Sequence, residues 1–190
     1  MKKQIIQRLS LLLVLLFGAI SSGMAADRIQ IETAGIEPGE TVAVPFSLEN
    51  DQTFYGFQLD LAFPEGLEVV QKNGKADVTL SSRFDSSFQL VTNVLADGKL
   101  RVLAFSTSHQ AITGNSGALF YIKVNAADNF TGGQLSASNI RMVGEGDRDV
   151  ALPDVSVELG TKTNNQFYIQ DFKIAVGETK TASMILDNET

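Results

Sequence analysis

His109 is the only histidine in the sequence, and it stands in the polar run STSHQAITGNSG, Ser106 to Gly117. There is no cysteine and no second histidine, so the chain has no residue set for a proton relay, a thiolate pair or a closed zinc site. His109 reads as a solvent-facing loop residue. No Gly-x-Ser-x-Gly elbow and no phosphate-cradling glycine loop is present. GEGDRD, Gly144 to Asp149, gathers Glu145, Asp147 and Asp149, and oxygen-rich loops suit calcium. Its spacing fits no calcium loop and Arg148 sits among the acids, so a solvated turn is the expected structure. A carboxylate pair for sugar hydrolysis meets only in space, and a small domain with short loops leaves little room for the cleft it needs. The chemistry left to such a chain is recognition. No enzyme activity, cofactor or metal is predicted.

Two kinds of recognition residue can be picked out. For protein contact the candidates are Gln58 and Asp60, which alternate outward on one strand, and Arg101 and Leu103 on another. For a carbohydrate they are aromatic. The chain has no Trp, the side chain on which sugars stack best, which leaves Tyr55, Phe84, Phe88 and Tyr121. Of these, Tyr55 and Phe88 are the candidate sugar platform. Tyr55 and its neighbour Phe54 precede a strand and are expected to be exposed. Phe46, Phe57 and Phe63 fall in phase with core positions.

Those residues are positioned by strands. TVAVPFSL, Thr41 to Leu48, places Val42, Val44, Phe46 and Leu48 on one face. GFQLDLAF, Gly56 to Phe63, turns Phe57, Leu59, Leu61 and Phe63 inward and Gln58, Asp60 and Ala62 outward. ALFYIKV, Ala118 to Val124, and VSVEL, Val155 to Leu159, alternate in the same way. Period-two alternation marks half-buried strands. Asp97-Gly98, inside ADGK, is a strong hairpin signal between FQLVTNVL and LRVLAFS. Pro45 interrupts a strand pattern, so that strand is predicted to lie at a sheet edge, or its proline nitrogen to face away from the ladder. About nine short strands between Arg28 and Leu159 predict an antiparallel sandwich or barrel.

The ends of the chain read differently. Lys2, Lys3 and Arg8 precede the apolar run LSLLLVLLFGAI, and Gly23 and Ala25 supply small residues at a cleavage site. Residues 1–25 therefore read as a secretory leader cut after Ala25, and the apolar run is too short for a comfortable membrane span. Without its three basic residues, the chain keeps 12 Lys and Arg against 22 Asp and Glu, a net charge of −10. That balance argues against nucleic acid and anionic membranes as partners, and no membrane insertion of the mature chain is expected. The exported protein is expected in the medium or at the cell surface. Lacking disulfides, it must rely on the core that about 130 residues can build.

Residues 26–160 make one domain. The polar stretch 161–166 is a linker, and 167–190 begins the domain again. At an offset of 138, Ile36, Gly39, Glu40, Thr41, Leu48 and Asn50 meet Ile174, Gly177, Glu178, Thr179, Leu186 and Asn188.

The ordered series of motifs resembles the cohesin family. It runs from GIEPGETVAVPFSLEND through YGFQLDLAFPEGLEVV, with Pro64, Leu67, Glu68 and Val69, to DGKLRVLAFSTSHQAITGNSGALFYIKVNA and DVALPDVSVELG. The resemblance covers roughly Ile29 to Gly160 and restarts near Phe167. It implies a nine-stranded jelly-roll sandwich, a fold shared with some carbohydrate-binding modules. It also implies a non-catalytic receptor for calcium-loaded dockerin modules that organises polysaccharide-degrading enzymes outside the cell. A carbohydrate-binding module on the same fold, or a spacer or stalk built of tandem sandwiches, are the alternatives. In the best-known dockerin-binding cohesins, an Asn and an Asp stand two apart on the outward side of the third strand. The phase of Leu59, Leu61 and Phe63 puts those positions at Gly56 and Gln58, and Phe63 replaces the family's Asp before the proline.

Overall fold

The computed structural model describes residues 27–33 and 35–161, together with the backbone of two later strands. The leader lies outside the described residues. In chain order the strands are β1 (Arg28–Ile31), β2 (Thr41–Glu49), β3 (Gly56–Ala62), β4 (Leu67–Val69), β5 (Gln71–Lys72), β6 (Lys75–Ala76), β7 (Val78–Leu80) and β8 (Phe88–Val94). They continue as β9 (Leu100–Ser106), β10 (Ala118–Ala126), β11 (Gly133–Val143), β12 (Asp149–Ala151), β13 (Val155–Leu159), β14 (Asn165–Ile169) and β15 (Met184–Asn188). The sandwich contains more segments than the nine predicted because the stretch after Leu67 breaks into two- and three-residue pieces, β4 to β7.

One sheet runs β1-β2-β10-β4, with β7 also on β10. The other runs β12-β11-β3-β9-β8, with β13 also on β11. Every strand pairing in the two sheets is antiparallel. This is the antiparallel all-β sandwich that the alternation predicts, and the jelly roll that the resemblance implies. Its core holds Val44, Phe46 and Leu48 from β2, Phe57, Leu59 and Leu61 from β3, and Phe120, Ile122 and Val124 from β10, each 2 % exposed or less. Three rings tie the two sheets together. Phe120 stacks on Phe46 at 4.8 Å between centroids and on Phe57 of the opposite sheet at 5.5 Å.

Pro45 is not at an edge, since β2 lies between β1 and β10. The Glu32 amide donates to the Pro45 carbonyl at 3.1 Å, so the missing proline N–H falls one residue past the last residue of β1. A ladder that ends there loses nothing by the proline. The Asp97-Gly98 turn is as predicted: the Leu95 amide donates to Lys99 and the Gly98 amide to Leu95, with Gly98 at φ 83°.

Arg83 is the principal polar group in the interior, at 8 % exposure. Its Nε donates to the Thr113 carbonyl at 2.7 Å. Its Nη1 donates to Leu48 and Gly117, and its Nη2 to Gly114 and the Asn50 side chain, at 2.8–3.1 Å. All five guanidinium hydrogens are thereby used on neutral oxygens. The side chain clasps the end of β2 to the loop that leads into β10.

β1 touches β13 in the other sheet. The Ile36 amide, beyond β1, donates to the Gly160 carbonyl, just beyond β13, at 3.2 Å. Both strands therefore finish at the same end of the sandwich, and β1 starts at the opposite end.

β14 and β15 form an antiparallel pair in which Gln166 meets Asp187, Phe167 meets Leu186, and Ile169 meets Met184. In β1 and β2, Arg28 meets Glu49, Ile29 meets Leu48, and Ile31 meets Phe46. Each pair of the first set is the second displaced by 138 residues.

Candidate functional site

The outward face of the six-stranded sheet is built on β3 and β9, with β11 and β8 beside them. Alternation decides what it shows. Leu100, Val102 and Ala104 of β9 turn into the core, so Arg101, Leu103 and Phe105 turn out. Register then assembles rows across the face: Gln58 opposite Leu103 opposite Val91, and Asp60 opposite Arg101 opposite Asn93. The four predicted contact residues, Gln58, Asp60, Arg101 and Leu103, thus lie side by side at its centre.

Asp60 points outward yet is only 6 % exposed. Arg101 covers it with a two-pronged contact, Nε to Oδ1 at 2.7 Å and Nη2 to Oδ2 at 2.8 Å. Asn139 closes the remaining side, donating from Nδ2 to Oδ2 at 3.0 Å. Asn139 comes within reach because the β11–β3 register shifts between Ser138 and Arg141, and Asn139 sits there at φ 51°. The Arg101 hydrogen bonds hold the Asp60 carboxyl below its ordinary value, against the opposing effect of burial, and the Asn139 bond adds to them. A carboxyl whose folded value is depressed stabilises the fold above its unfolded value of about 3.9, and loses that contribution as pH falls through the lower folded value. Asp60→Asn is therefore expected to cost about 1–2 kcal/mol at pH 7, and the gap from wild type should close as pH falls through the lowered folded value. Urea titrations at a series of pH values would read this. A gap that persists in acid would mean that the ion pair contributes nothing.

Beside this closed polar cluster the face is apolar and open. Phe105 is 39 % and Val91 47 % exposed, with Leu103 between them on the β9 and β8 register. Gly56 stands opposite Phe105, and a Cβ at Gly56 would lie 2.8 Å from the Ala104 carbonyl. Only glycine leaves β3 and β9 at this spacing, which is a physical reason why no asparagine occupies the position. A hollow of about 250 Å³ adjoins the apolar row, lined by Gln58, Leu103, Arg141, Val143, Asp147 and Asp149 among others.

The aromatic candidates separate. Phe88 is only 8 % exposed, with Phe84 edge-on at 4.8 Å, so its ring offers no platform to a sugar. Phe54, expected to be exposed, is fully buried. Tyr55 is half-buried at the end of the face, and one side of its ring is taken by His109, stacked at 4.3 Å. His109 is an exposed loop residue as predicted, and its Nδ1 lies 3.7 Å from Asp147. In GEGDRD, Asp149 is paired with Arg141 at 2.9 Å and Arg148 bonds Gln52. Among the described residues no group of three or more His, Cys, Asp or Glu could hold a metal ion. Phe105, Val91 and Asn139 are site residues absent from the sequence reading. The first shares the phase of Arg101 and Leu103, whereas the Asn139 placement depends on a bulge that no spacing announces.

A family model described as "Cohesin domain" matches residues 28–161. The chain belongs to the cohesin family. No curated protein sequence matches it. Among solved structures it is similar to the cohesin module of a family 33 glycoside hydrolase from Clostridium perfringens ATCC13124, with a TM-score of 0.58, 14 % identity, and 71 % of this chain and 96 % of that one covered. It is also similar to the OlpA cohesin of Clostridium thermocellum, solved as a type I complex with the dockerin Doc918 (TM-score 0.55, 18 % identity, 70 % and 99 % covered). A non-cellulosomal cohesin from the archaeon Archaeoglobus fulgidus gives a TM-score of 0.54 and 19 % identity over 73 % of this chain and 94 % of that one. At these identities the shared property is the fold. In this cohesin the outward face has an apolar row, while its central carboxylate is already spent on Arg101 and Asn139.

Proposed function

We propose that this cohesin is an exported, non-catalytic receptor that binds a protein module of dockerin type on the outward face of β11, β3, β9 and β8. The observation that carries the reading is the outward apolar row of exposed Phe105 and Val91 with half-buried Leu103 between them, contiguous on two paired strands and rimmed by Gln58, Arg101 and Arg141. Scattered surface apolars need no explanation, but a contiguous row with a polar rim has the anatomy of an interface core. A face of this size can supply the ~800 Å² per partner that a standard interface buries. The cohesin of Clostridium thermocellum, in complex with a dockerin, supports the partner class. Because Asp60 is held internally and Gly56 lacks a side chain, the contact rests on apolar complementarity more than on strand-three hydrogen bonds. A leader at residues 1–25 would deliver the domain to the cell surface or medium, where a link to polysaccharide degradation would operate.

The test is a binding screen of the mature chain against dockerin modules and against exported proteins of its own host. A partner should bind saturably and lose at least about tenfold in affinity with Leu103→Asp or Phe105→Asp, each placing a charge in the contact. A screen without any protein partner, or a partner indifferent to both substitutions, would remove the reading.

A tandem architecture is part of the same proposal. The shared register of the β14–β15 and β1–β2 pairs, at the same offset of 138 residues, supports reading 167–190 as the start of a second cohesin copy joined through the linker 161–166. Several receptors in one chain would gather several partners.

A further inference from the structure

β8 is an edge strand, and it lacks the protections that edges carry. It pairs with β9 on one side, and among the described residues no strand pairs with the other. The sequence FQLVTNV has no charge and no proline, and its register with β9 is unbroken from Phe88 to Val94. Soluble proteins blunt their edges with charge, proline, bulges or brevity. The other edges here follow that rule: β4, β7 and β12 are three residues long, and β1 and β13 carry charges and touch each other.

The ladder phase shows what the free edge offers. The Leu95 amide donates to Lys99, and the Thr107 amide to Ser87. In an antiparallel ladder, bonded and non-bonded pairs alternate. Ser87, Gln89, Val91, Asn93 and Leu95 therefore turn their backbone groups to β9, while Leu90, Thr92 and Val94 turn theirs outward. Val94 is 65 % exposed.

Next to this edge the β5–β6 hairpin holds Lys72 directly opposite Lys75, on either side of the Asn73-Gly74 turn. Like charges directly opposite are destabilising in a hairpin. Neither lysine makes an ion pair among the described residues, in a chain whose net charge is −7. Between hairpin and strand run two open grooves. One, of about 460 Å³, is lined by Lys72, Lys75 and Leu90 to Thr92 among others. The other, of about 290 Å³, is lined by Lys75 and Thr92 to Val94 among others.

We propose that the free edge of β8 takes an added strand from an extended acidic polypeptide segment, whose alternate carboxylates reach Lys72 and Lys75. Backbone pairing with Leu90, Thr92 and Val94 supplies the affinity, and the lysine hairpin selects for acid at every second position. The intervening positions meet Val91 and Asn93 and favour β-branched residues. A second copy of this chain is a poor occupant, because edge-to-edge pairing would bring two lysine hairpins together. This site adjoins the outward face proposed above and shares Val91 with it, but the two are tested by different substitutions, so either reading can fail without the other.

The experiment uses the mature chain and a capped seven-residue peptide of alternating Val and Glu, followed by amide NMR. The peptide should bind saturably and more weakly at high salt. It should protect the amides of Leu90, Thr92 and Val94 from hydrogen exchange, and leave the protection of Gln89, Val91 and Asn93 unchanged. Thr92→Pro, which removes an outward amide without touching the β9 ladder, and the charge reversal Lys72→Glu/Lys75→Glu should each weaken binding at least about tenfold. Replacing Glu by Lys in the peptide should abolish it. Absence of binding at millimolar peptide, protection on another strand, equal binding by the charge-reversed variant, or self-association through β8 would each overturn the proposal.

Discussion

Arg83→Ala is expected to destabilise the domain by about 3–5 kcal/mol, because several buried neutral acceptors lose their hydrogen bonds together. Four acceptors lose their donor at once, the carbonyls of Leu48, Thr113 and Gly114 and the Asn50 side chain, while the Gly117 carbonyl keeps the Leu48 amide. Each buried acceptor left bare costs about 1–3 kcal/mol, and water entering the vacated space restores part of this. Arg83→Lys should recover less than half of the loss, because an ammonium has three donors and cannot reproduce the planar fork. Asn50→Ala removes one of the five partners and should cost about 1 kcal/mol. For a domain of this size the first substitution should lower the melting temperature by about 10–15 °C. A shift of only a few degrees would mean that the loop is held by its own turns and that Arg83 merely fills space.

Phe120→Ala should cost about 4 kcal/mol, within the range for emptying a buried phenylalanine site. The ring lies between Phe46 of its own sheet and Phe57 of the other, so its removal opens a cavity where the two sheets meet. Phe46 and Phe57 are 0 % and 1 % exposed and held by strand registers on either side, so they have little freedom to collapse into the space. Phe120→Leu should cost about 1–2 kcal/mol, because much of the volume is retained. Urea unfolding with an unchanged slope is the appropriate measurement. A Phe120→Ala cost below about 2 kcal/mol would mean that the sandwich can close over the gap.

The two substitutions also mark what can be read from the chain alone. Phe46, Phe57 and Phe120 announce themselves, because alternation puts them in phase with other core residues and a half-buried strand leaves them nowhere else to go. The same arithmetic places Gln58, Asp60, Arg101 and Leu103 on one outward face. The β9 phase, carried to the end of the strand, places Phe105 there too. Arg83 is invisible by this route. It sits in the polar run SSRFDSSF, and its five acceptors come from residues 30 or more positions away. Asn139 and the closure of Asp60 are hidden for a related reason, since a bulge changes the phase that sequence reading assumes to be constant. Phe54 and Phe88 illustrate the opposite error. Phe54 just ahead of β3 and Phe88 at the start of β8 look free in a one-dimensional pattern, but the first is fully buried and the second packs against the Phe84 ring.

The terminal strands have a mechanical consequence. β1 starts at one end of the sandwich and β13 finishes at the other, so a pull applied at Arg28 and Gly160 draws the two strands lengthwise in opposite directions. The backbone bonds between β1 and β2, and those between β13 and β11, then share the load simultaneously. Zipper-like opening, in which bonds break one at a time, requires a force across the strands that this layout does not supply. A domain threaded in this manner can carry tension between whatever is fastened to its two ends.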